Sequence, residues 1–213
     1  MADSRAKLLV AYHEVGHALC STLTPGHDAV RAVTIMPRGR AKGLTWFVPD
    51  EEATAGVTRQ QLFAGLVGAL GGRAAEDVVF GEPEVTSAAA GDLVEVKRTA
   101  TAMVTRFGMG PLGPWAPWDG GGEDAVMRLL TRSQQSEQLL SNVDAAVKAL
   151  ADEAYAAARA CVQNHREAAD ALVEELLEVE TMSGDRFRQL LRRFVPQLPC
   201  DAPAPAAVAQ TAR

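Results

Sequence analysis

Two of the four histidines of this chain lie in one pentapeptide, His13-Glu14-Val15-Gly16-His17, within an apolar stretch that runs from Leu8 to Leu23. The apolar flanks predict a buried helix over that stretch. Residues four apart lie on one face of a helix, so His13 and His17 can offer imidazole nitrogens to the same metal ion. Glu14 would then reach a water molecule beside that ion. The pentapeptide therefore predicts a metal site on one face of the first helix.

The pattern is the signature of zinc peptidases, in which zinc has three protein ligands and keeps one position open for water. A third ligand must then come from elsewhere in the chain. Gly16, inside the motif, would allow a second backbone to approach the helix closely. The alternative is a core helix with two hydrogen-bonded histidines and no metal.

Composition excludes other classes. The net charge of −6 and the absence of a basic patch argue against a nucleic-acid partner. Three cysteines at distant positions, Cys20, Cys161 and Cys200, favour a reducing compartment over a disulfide framework. No apolar run reaches about 18 residues, and no signal-peptide pattern opens the chain, so we expect these residues to be soluble.

Local patterns predict a mainly α fold of the α+β class, with a small sheet beside the motif helix and a long C-terminal helical pair. The β-forming residues at 29–36 and 43–48 predict two strands of a β-hairpin, joined by the basic turn 37–42. Its edge could pair with a peptide substrate, or the hairpin could simply cover the core. Helices are predicted at 58–79, 87–107, 136–164 and 166–180, with a short one after Ser183-Gly184-Asp185. We expect a domain at 1–195 and a disordered Pro/Ala-rich tail at 196–213.

The third ligand is left open by spacing alone. Asp92 lies on a different predicted helix from His17. Its simplest interpretation is an acidic residue that the positive N-terminal end of that helix stabilises. Glu76, Asp77 and Glu95 are the other candidates. His27 lies in the loop after the first helix, where we expect a solvated side chain.

Several further segments carry a family resemblance. They are Leu9 to Ala18, Val33 to Gly39, Gly71 to Asp77, Phe80-Gly81-Glu82, Gly91-Asp92-Leu93 and Met103 to Met109. In this order, from about Leu8 to Phe194, the chain resembles the protease domain of FtsH, the membrane-bound AAA+ zinc metalloprotease. Gly43 to Phe47, Phe80 to Glu84 and Gly113-Pro114-Trp115 are most similar to the chloroplast thylakoid and cyanobacterial forms.

The resemblance implies a site. The aspartate of the family's Gly-Asp-Leu element maps onto Asp92, which would join His13 and His17 as ligands of one Zn²⁺ per chain. Glu76 would then orient a histidine through its other ring nitrogen. Glu14 would be the catalytic base, accepting a proton from water and returning it to the leaving amine.

The resemblance also implies a context. The chain would be a zinc metalloendopeptidase domain that hydrolyses unfolded or damaged membrane proteins in protein quality control. These 213 residues contain no phosphate-binding loop. ATP would thus be used by a missing AAA+ module, and a missing N-terminal region would reach the membrane. We expect a homohexamer or a mixed hexamer on the stromal face of the chloroplast thylakoid, or on the cytoplasmic face of a bacterial inner or thylakoid membrane.

Other classes remain open at this stage. A catalytically silent, hexamer-forming scaffold would be expected to carry an altered Glu14 or histidine, and all three motif residues are intact. A helical interaction domain without metal is another possibility. An exopeptidase or a different zinc hydrolase is excluded by the resemblance alone.

Overall fold

The computed structural model describes residues 2–37, 43–48, 56–117 and 136–199. Within them lie six α-helices: α1 (Ala2–Leu23), α2 (Arg59–Phe80), α3 (Ala90–Thr105), α4 (Glu137–Asn164), α5 (Arg166–Val179) and α6 (Gly184–Leu191). The strands are β1 (Ala29–Thr34), β2 (Leu44–Val48) and β3 (Thr181–Ser183). The predicted mainly α fold with a small sheet is confirmed. None of the described helices combines the length and the apolarity that crossing a bilayer requires.

The first turn of α2 is fixed by its cap. The Thr58 hydroxyl accepts a hydrogen bond from the Gln61 backbone N–H, and the Gln61 side chain accepts one from the Thr58 N–H. Two of the N–H groups that lack helical partners are satisfied in this way. At the other end, Gly81 takes a positive φ of 90°, which suits a residue without Cβ. The helix therefore begins and ends one residue later than the predicted range 58–79.

The sheet is antiparallel, in the order β2-β1-β3. Central Val33 faces Thr45 of β2 on one side and Met182 of β3 on the other. The predicted hairpin strands are thus confirmed as neighbours, while residues 38–42 of the basic turn lie outside the described part of the chain. Sequence analysis missed β3, because three residues are too few to show an alternating pattern.

Two apolar clusters meet at α1. The first joins α1 to the sheet, α5 and α6, and includes Val15, Leu19, Val33, Leu172, Leu176 and Phe187. The second joins Cys20 to α2, α3 and α4, and includes Leu66, Leu70, Met103, Leu150 and Val162. Cys161 packs against both clusters. Helix α1 is therefore buried on several sides over residues 11–22, as its apolar sequence in that stretch predicts.

The crossing of α1 and α2 depends on two glycines. A Cβ on Gly16 would collide with the Gly71 carbonyl oxygen and lie 2.6 Å from the Ala75 Cβ. A Cβ on Gly71 would likewise collide with the Gly16 carbonyl oxygen. The backbones touch here, as the glycine inside the motif predicts.

Three local features differ from what the sequence predicts. The predicted helix 87–107 is split, because Ser87–Ala89 form a separate 3-10 turn before α3. The expectation of a solvated His27 was wrong, because its ring is bonded to Ser21 and packs against Phe47. Leu198, inside the predicted tail, is buried in the first cluster. Residues 200–213 lie outside the described part of the chain, so the disordered tail and the domain boundary stay predictions.

Gly16→Ala should destabilise the fold. The added methyl has to push α1 and α2 apart, and overpacking of this kind costs about 2 kcal/mol of unfolding free energy. Gly65, also on α2, has no neighbour within 4 Å of a Cβ. Gly65→Ala should therefore stabilise the protein by about 0.5–1 kcal/mol, because alanine is the better helix former. Urea denaturation of both variants checks this, and equal effects would show that the crossing is not close packed.

Candidate metal centre

Helix α1 presents its two motif histidines to the same point. The Nε2 atoms of His13 and His17 lie 3.0 Å apart. Their residues are only 7% and 9% exposed. The spacing of four residues puts the rings on one helical face, and packing on α2 keeps them from turning to solvent.

The third group comes from α3. Asp92 lies in the first turn of that helix, and its Oδ2 is 3.5 Å from Nε2 of His13 and 3.5 Å from Nε2 of His17. The preceding 3-10 turn is capped by the Thr86 hydroxyl, which accepts the Ala88 N–H. This turn sets the direction from which α3 approaches α1. Among the described residues, His13, His17 and Asp92 form the one cluster whose geometry could hold a metal ion.

The other ring nitrogen of each histidine, Nδ1, is hydrogen-bonded to an acceptor oxygen. Nδ1 of His13 lies 2.7 Å from Oε1 of Glu76, and Nδ1 of His17 lies 2.9 Å from the Gly68 carbonyl oxygen. A carbonyl or a carboxylate can only accept, so both Nδ1 atoms must carry the proton and donate. In the neutral rings, both Nε2 atoms then present lone pairs to each other and to Asp92. Three acceptors converge on one point that only a cation or a shared proton can satisfy.

The separations suit zinc. Zinc bonds to histidine nitrogen and carboxylate oxygen are about 2.0–2.2 Å long, so tetrahedral ligands lie about 3.3–3.5 Å apart. The three separations observed here, 3.0, 3.5 and 3.5 Å, fall close to that value. Two imidazoles and one carboxylate also leave a fourth position open, as catalytic zinc sites require. The residues present therefore fit the ion that the sequence pattern predicts.

Glu76 stands behind the cluster. It is 1% exposed, and besides His13 it accepts hydrogen bonds from the Thr86 backbone N–H at 2.6 Å and from the Thr86 hydroxyl at 3.1 Å. Its carboxylate contacts the ring nitrogen that points away from the convergence point. The other two candidates lie elsewhere: Asp77 bonds Tyr155 and Arg159, and Glu95 bonds Arg98.

The charges of the site favour a cation. Burial alone would lower the pKa of His13, but hydrogen bonds to Asp92 and Glu76 outweigh it and raise the pKa to about 9. Burial would raise the pKa of Asp92, yet His13 and His17 hold it well below its usual range. The pKa of Glu76 is also lowered, against its burial, by the bonds from His13 and Thr86. Two ionised carboxylates next to paired imidazoles attract positive charge to the Nε2 side.

Glu14 lies beside the cluster and is 7% exposed. Burial raises its pKa above the ordinary value, while the neighbouring His17 and the hydrogen bond from Thr45 act in the opposite direction. A carboxylate with a raised pKa is suited to take up and release a proton near neutral pH. The Thr45 hydroxyl donates to Oε2 of Glu14 over 2.8 Å.

Two glycines make room for these side chains. A Cβ on Gly72 would lie 2.5 Å from Nε2 of His17 and 2.7 Å from Nε2 of His13. A Cβ on Gly43 would lie 2.7 Å from both Cγ and Oε1 of Glu14. Any side chain at either position would occupy the space of the functional groups. Gly72 lies in the segment Gly71 to Asp77 that carries the family resemblance, but nothing in the sequence explained a glycine there.

The chain is similar to a known peptidase family over most of its length. The family model described as peptidase family M41 matches residues 1–190, which is most of the chain. The chain belongs to peptidase family M41. All of the cluster residues, and Glu14 with them, lie inside the matched range.

Named relatives of this M41 chain agree with the family. It is 59% identical over 198 residues to the ATP-dependent zinc metalloprotease FTSH 6, chloroplastic, of Oryza sativa subsp. japonica, covering 92% of this chain and 29% of that protein. It is 52% identical over 221 residues to FTSH 2, chloroplastic, of Arabidopsis thaliana, covering 98% of this chain and 32% of that protein. To the FtsH of Trieres chinensis it is 43% identical over 196 residues, covering 91% and 30%. The chain thus spans about three tenths of the length of these relatives.

Gly72→Ala should remove metal from the M41 chain. The methyl group would displace both imidazoles, because its position is 2.5–2.7 Å from their Nε2 atoms. We expect metal content, measured by atomic emission after dialysis against zinc, to fall from one ion per chain to nearly none. Gly65→Ala on the same helix is the control and should retain the ion. A fully metallated Gly72→Ala variant would overturn this account of the site.

Asp92 and Glu76 should differ in their effects on metal affinity. Asp92→Ala removes a group that faces the convergence point and should abolish stoichiometric binding. Glu76→Gln keeps an acceptor for His13 but removes its charge, and such changes behind a ligand typically weaken binding by about 10–100-fold. Competition with a coloured zinc chelator measures both constants. The reverse order would assign the third ligand to Glu76.

Proposed function

We propose that this chain is a zinc metalloendopeptidase domain, with His13, His17 and Asp92 as the ligands of one Zn²⁺ and Glu14 as the general base. The observation that carries the proposal is the convergence of three lone-pair atoms within 3.5 Å of one another. Its support is the buried Glu14 at the side of that point, in a chain of family M41.

The proposed reaction is hydrolysis of a peptide bond. Bound zinc would supply the Lewis acid that acidifies water and polarises the scissile carbonyl. Glu14 accepts the proton of the attacking water at its carboxylate and then gives it to the leaving amide nitrogen. Burial of Glu14 supports this role, because a desolvated carboxylate binds a proton more readily. Glu76 and the Gly68 carbonyl keep both imidazoles in the tautomer whose Nε2 is free.

The substrate class we propose is unfolded polypeptide. Strand β2 lies at one edge of the sheet, and the described residues place no strand on its other side. Its residue Thr45 contacts Glu14, so the edge lies next to the proposed base. An extended peptide added to that edge would be held by main-chain hydrogen bonds, which require an unfolded chain but little sequence preference.

The wider setting of the domain is also a proposal. Relatives of this chain are named ATP-dependent and chloroplastic. We infer that an AAA+ ATPase module delivers unfolded or damaged membrane proteins to this domain, and that ATP is used by that module. We further propose a homohexamer or a mixed ring of related subunits in the chloroplast, on the stromal side of the thylakoid membrane.

Glu14→Gln should separate metal binding from turnover. The amide cannot take the proton, and loss of a general base lowers kcat by about 10²–10⁴-fold. The variant should retain one zinc per chain, since Glu14 is not among the three converging groups. The assay is hydrolysis of unfolded casein and of an internally quenched peptide, alongside metal content.

Zinc content and hydrolysis by the unaltered chain distinguish the proposed function from a catalytically silent scaffold. The peptidase is supported if the unaltered chain binds zinc and hydrolyses the substrates, and if Glu14→Gln abolishes that hydrolysis. Zinc without any hydrolysis, also when the chain is fused to an ATPase module of a relative, would make it a scaffold. Cleavage that persists in Glu14→Gln would point to a contaminating protease or to another base.

A further inference from the structure

The Glu14 carboxylate is held from the sheet. Oγ1 of Thr45 lies 2.8 Å from Oε2 of Glu14 and 3.2 Å from the Glu14 backbone oxygen. A hydroxyl has a single proton, and the bond to an ionised carboxylate is the stronger of the two choices. The shorter distance agrees with donation to the side chain. The orientation of the proposed base thus depends on a residue 31 positions away in the sequence.

Thr45 is itself rigidly placed. It pairs with Val33 of the central strand β1, and Val33 also pairs with β3. The β-branched side chain of threonine has few χ1 choices on a strand. Its hydroxyl is therefore fixed in direction relative to α1, which is what a positioning group must be.

Gly43 lies against Glu14 on the same side of its extended segment as Thr45. Residues two apart along an extended segment point to one side, so positions 43 and 45 both face Glu14. A Cβ at Gly43 would lie 2.7 Å from Oε1 and Cγ of Glu14, and 2.8 Å from Val10. The carboxylate is consequently confined between the Gly43 backbone and the Thr45 hydroxyl. With Oε2 bound by Thr45, Oε1 is the oxygen left to receive a proton.

We propose that Thr45 is a positioning residue for the reaction, which aims Oε1 of Glu14 at the attacking water by binding Oε2. The inference rests on the proposed function of Glu14. A purely structural role would make Thr45 a strand residue whose loss lowers stability and leaves turnover of the folded protein unchanged.

The test compares Thr45→Val, which keeps the shape and loses the hydroxyl, with Thr45→Ser, which keeps the hydroxyl. The valine variant should lose about 10–100-fold in kcat, with KM and zinc content unchanged. The serine variant should restore most of the rate. The matched control is Thr34→Val on the neighbouring strand, because the Thr34 hydroxyl bonds Glu180 and Thr181. It should change stability alone, measured by urea denaturation.

A second readout does not need turnover. A peptide hydroxamate chelates zinc and gives a proton to the adjacent carboxylate, so its affinity reports whether Glu14 is correctly aimed. Calorimetry should show about 10-fold weaker binding to Thr45→Val, and unchanged binding to Thr45→Ser and Thr34→Val. Crystal structures of the same chains, with and without zinc, should show the Glu14 carboxylate rotated in Thr45→Val alone.

The outcomes separate the two proposals. If the unaltered chain hydrolyses nothing, alone or fused to an ATPase module of a relative, but the carboxylate rotates in Thr45→Val, the proposed function fails, while the orientation of Glu14 by Thr45 stands. If the unaltered chain is active and Thr45→Val keeps full kcat, hydroxamate affinity and carboxylate orientation, the positioning role is refuted and the proposed function stands.

Discussion

The contact between the backbones of Gly16 and Gly71 is the constraint on which the rest of the site depends. It brings α2 against the motif face of α1, where three α2 residues four apart serve the histidines. The Gly68 carbonyl accepts from His17, Gly72 leaves space for both rings, and Glu76 accepts from His13. A side chain at the crossing would separate the helices, and all three contacts would be lost together.

The same crossing also places negative charges that need a compensating positive charge. Glu76 and Asp92 bring negative charge to opposite sides of the His13 ring; His13 and Glu76 are buried, and Asp92 is partly exposed. Buried charges are stable only when they are paired. The pairing groups are imidazoles that can hold one proton between them or share one metal ion. The preference for a cation therefore follows from burial and hydrogen bonding, and does not require any charge beyond these residues.

Sequence could predict the local part of this arrangement and not the tertiary part. The apolar flanks of the pentapeptide predicted the first helix, and the spacing of four placed both histidines on one face of it. The long helices α4 and α5 were predicted from their apolar periodicity. Spacing left the third ligand open among Asp92, Glu76, Asp77 and Glu95, because that choice depends on where α3 meets α1. The assignment to Asp92 came from the family resemblance. Thr45 escaped notice because an alternating strand gives no sign of which helix it faces. Gly72 was visible, but its reason lies on another helix.

With Asp92 as the proposed third ligand, a bound metal ion would connect two helices as well as serve the proposed reaction. His13 and His17 belong to α1, whereas Asp92 is carried by α3, whose own cluster residues Val96 and Met103 pack against α2 and α4. An ion bound by all three would join α1 directly to α3 across the crossing with α2. Because the ligands must give up protons to bind it, the free energy of metal binding adds to that of folding and falls as the pH falls. In the proposed site, the chemistry and the stability of this chain would thus be coupled through the Asp92 carboxylate at the start of α3.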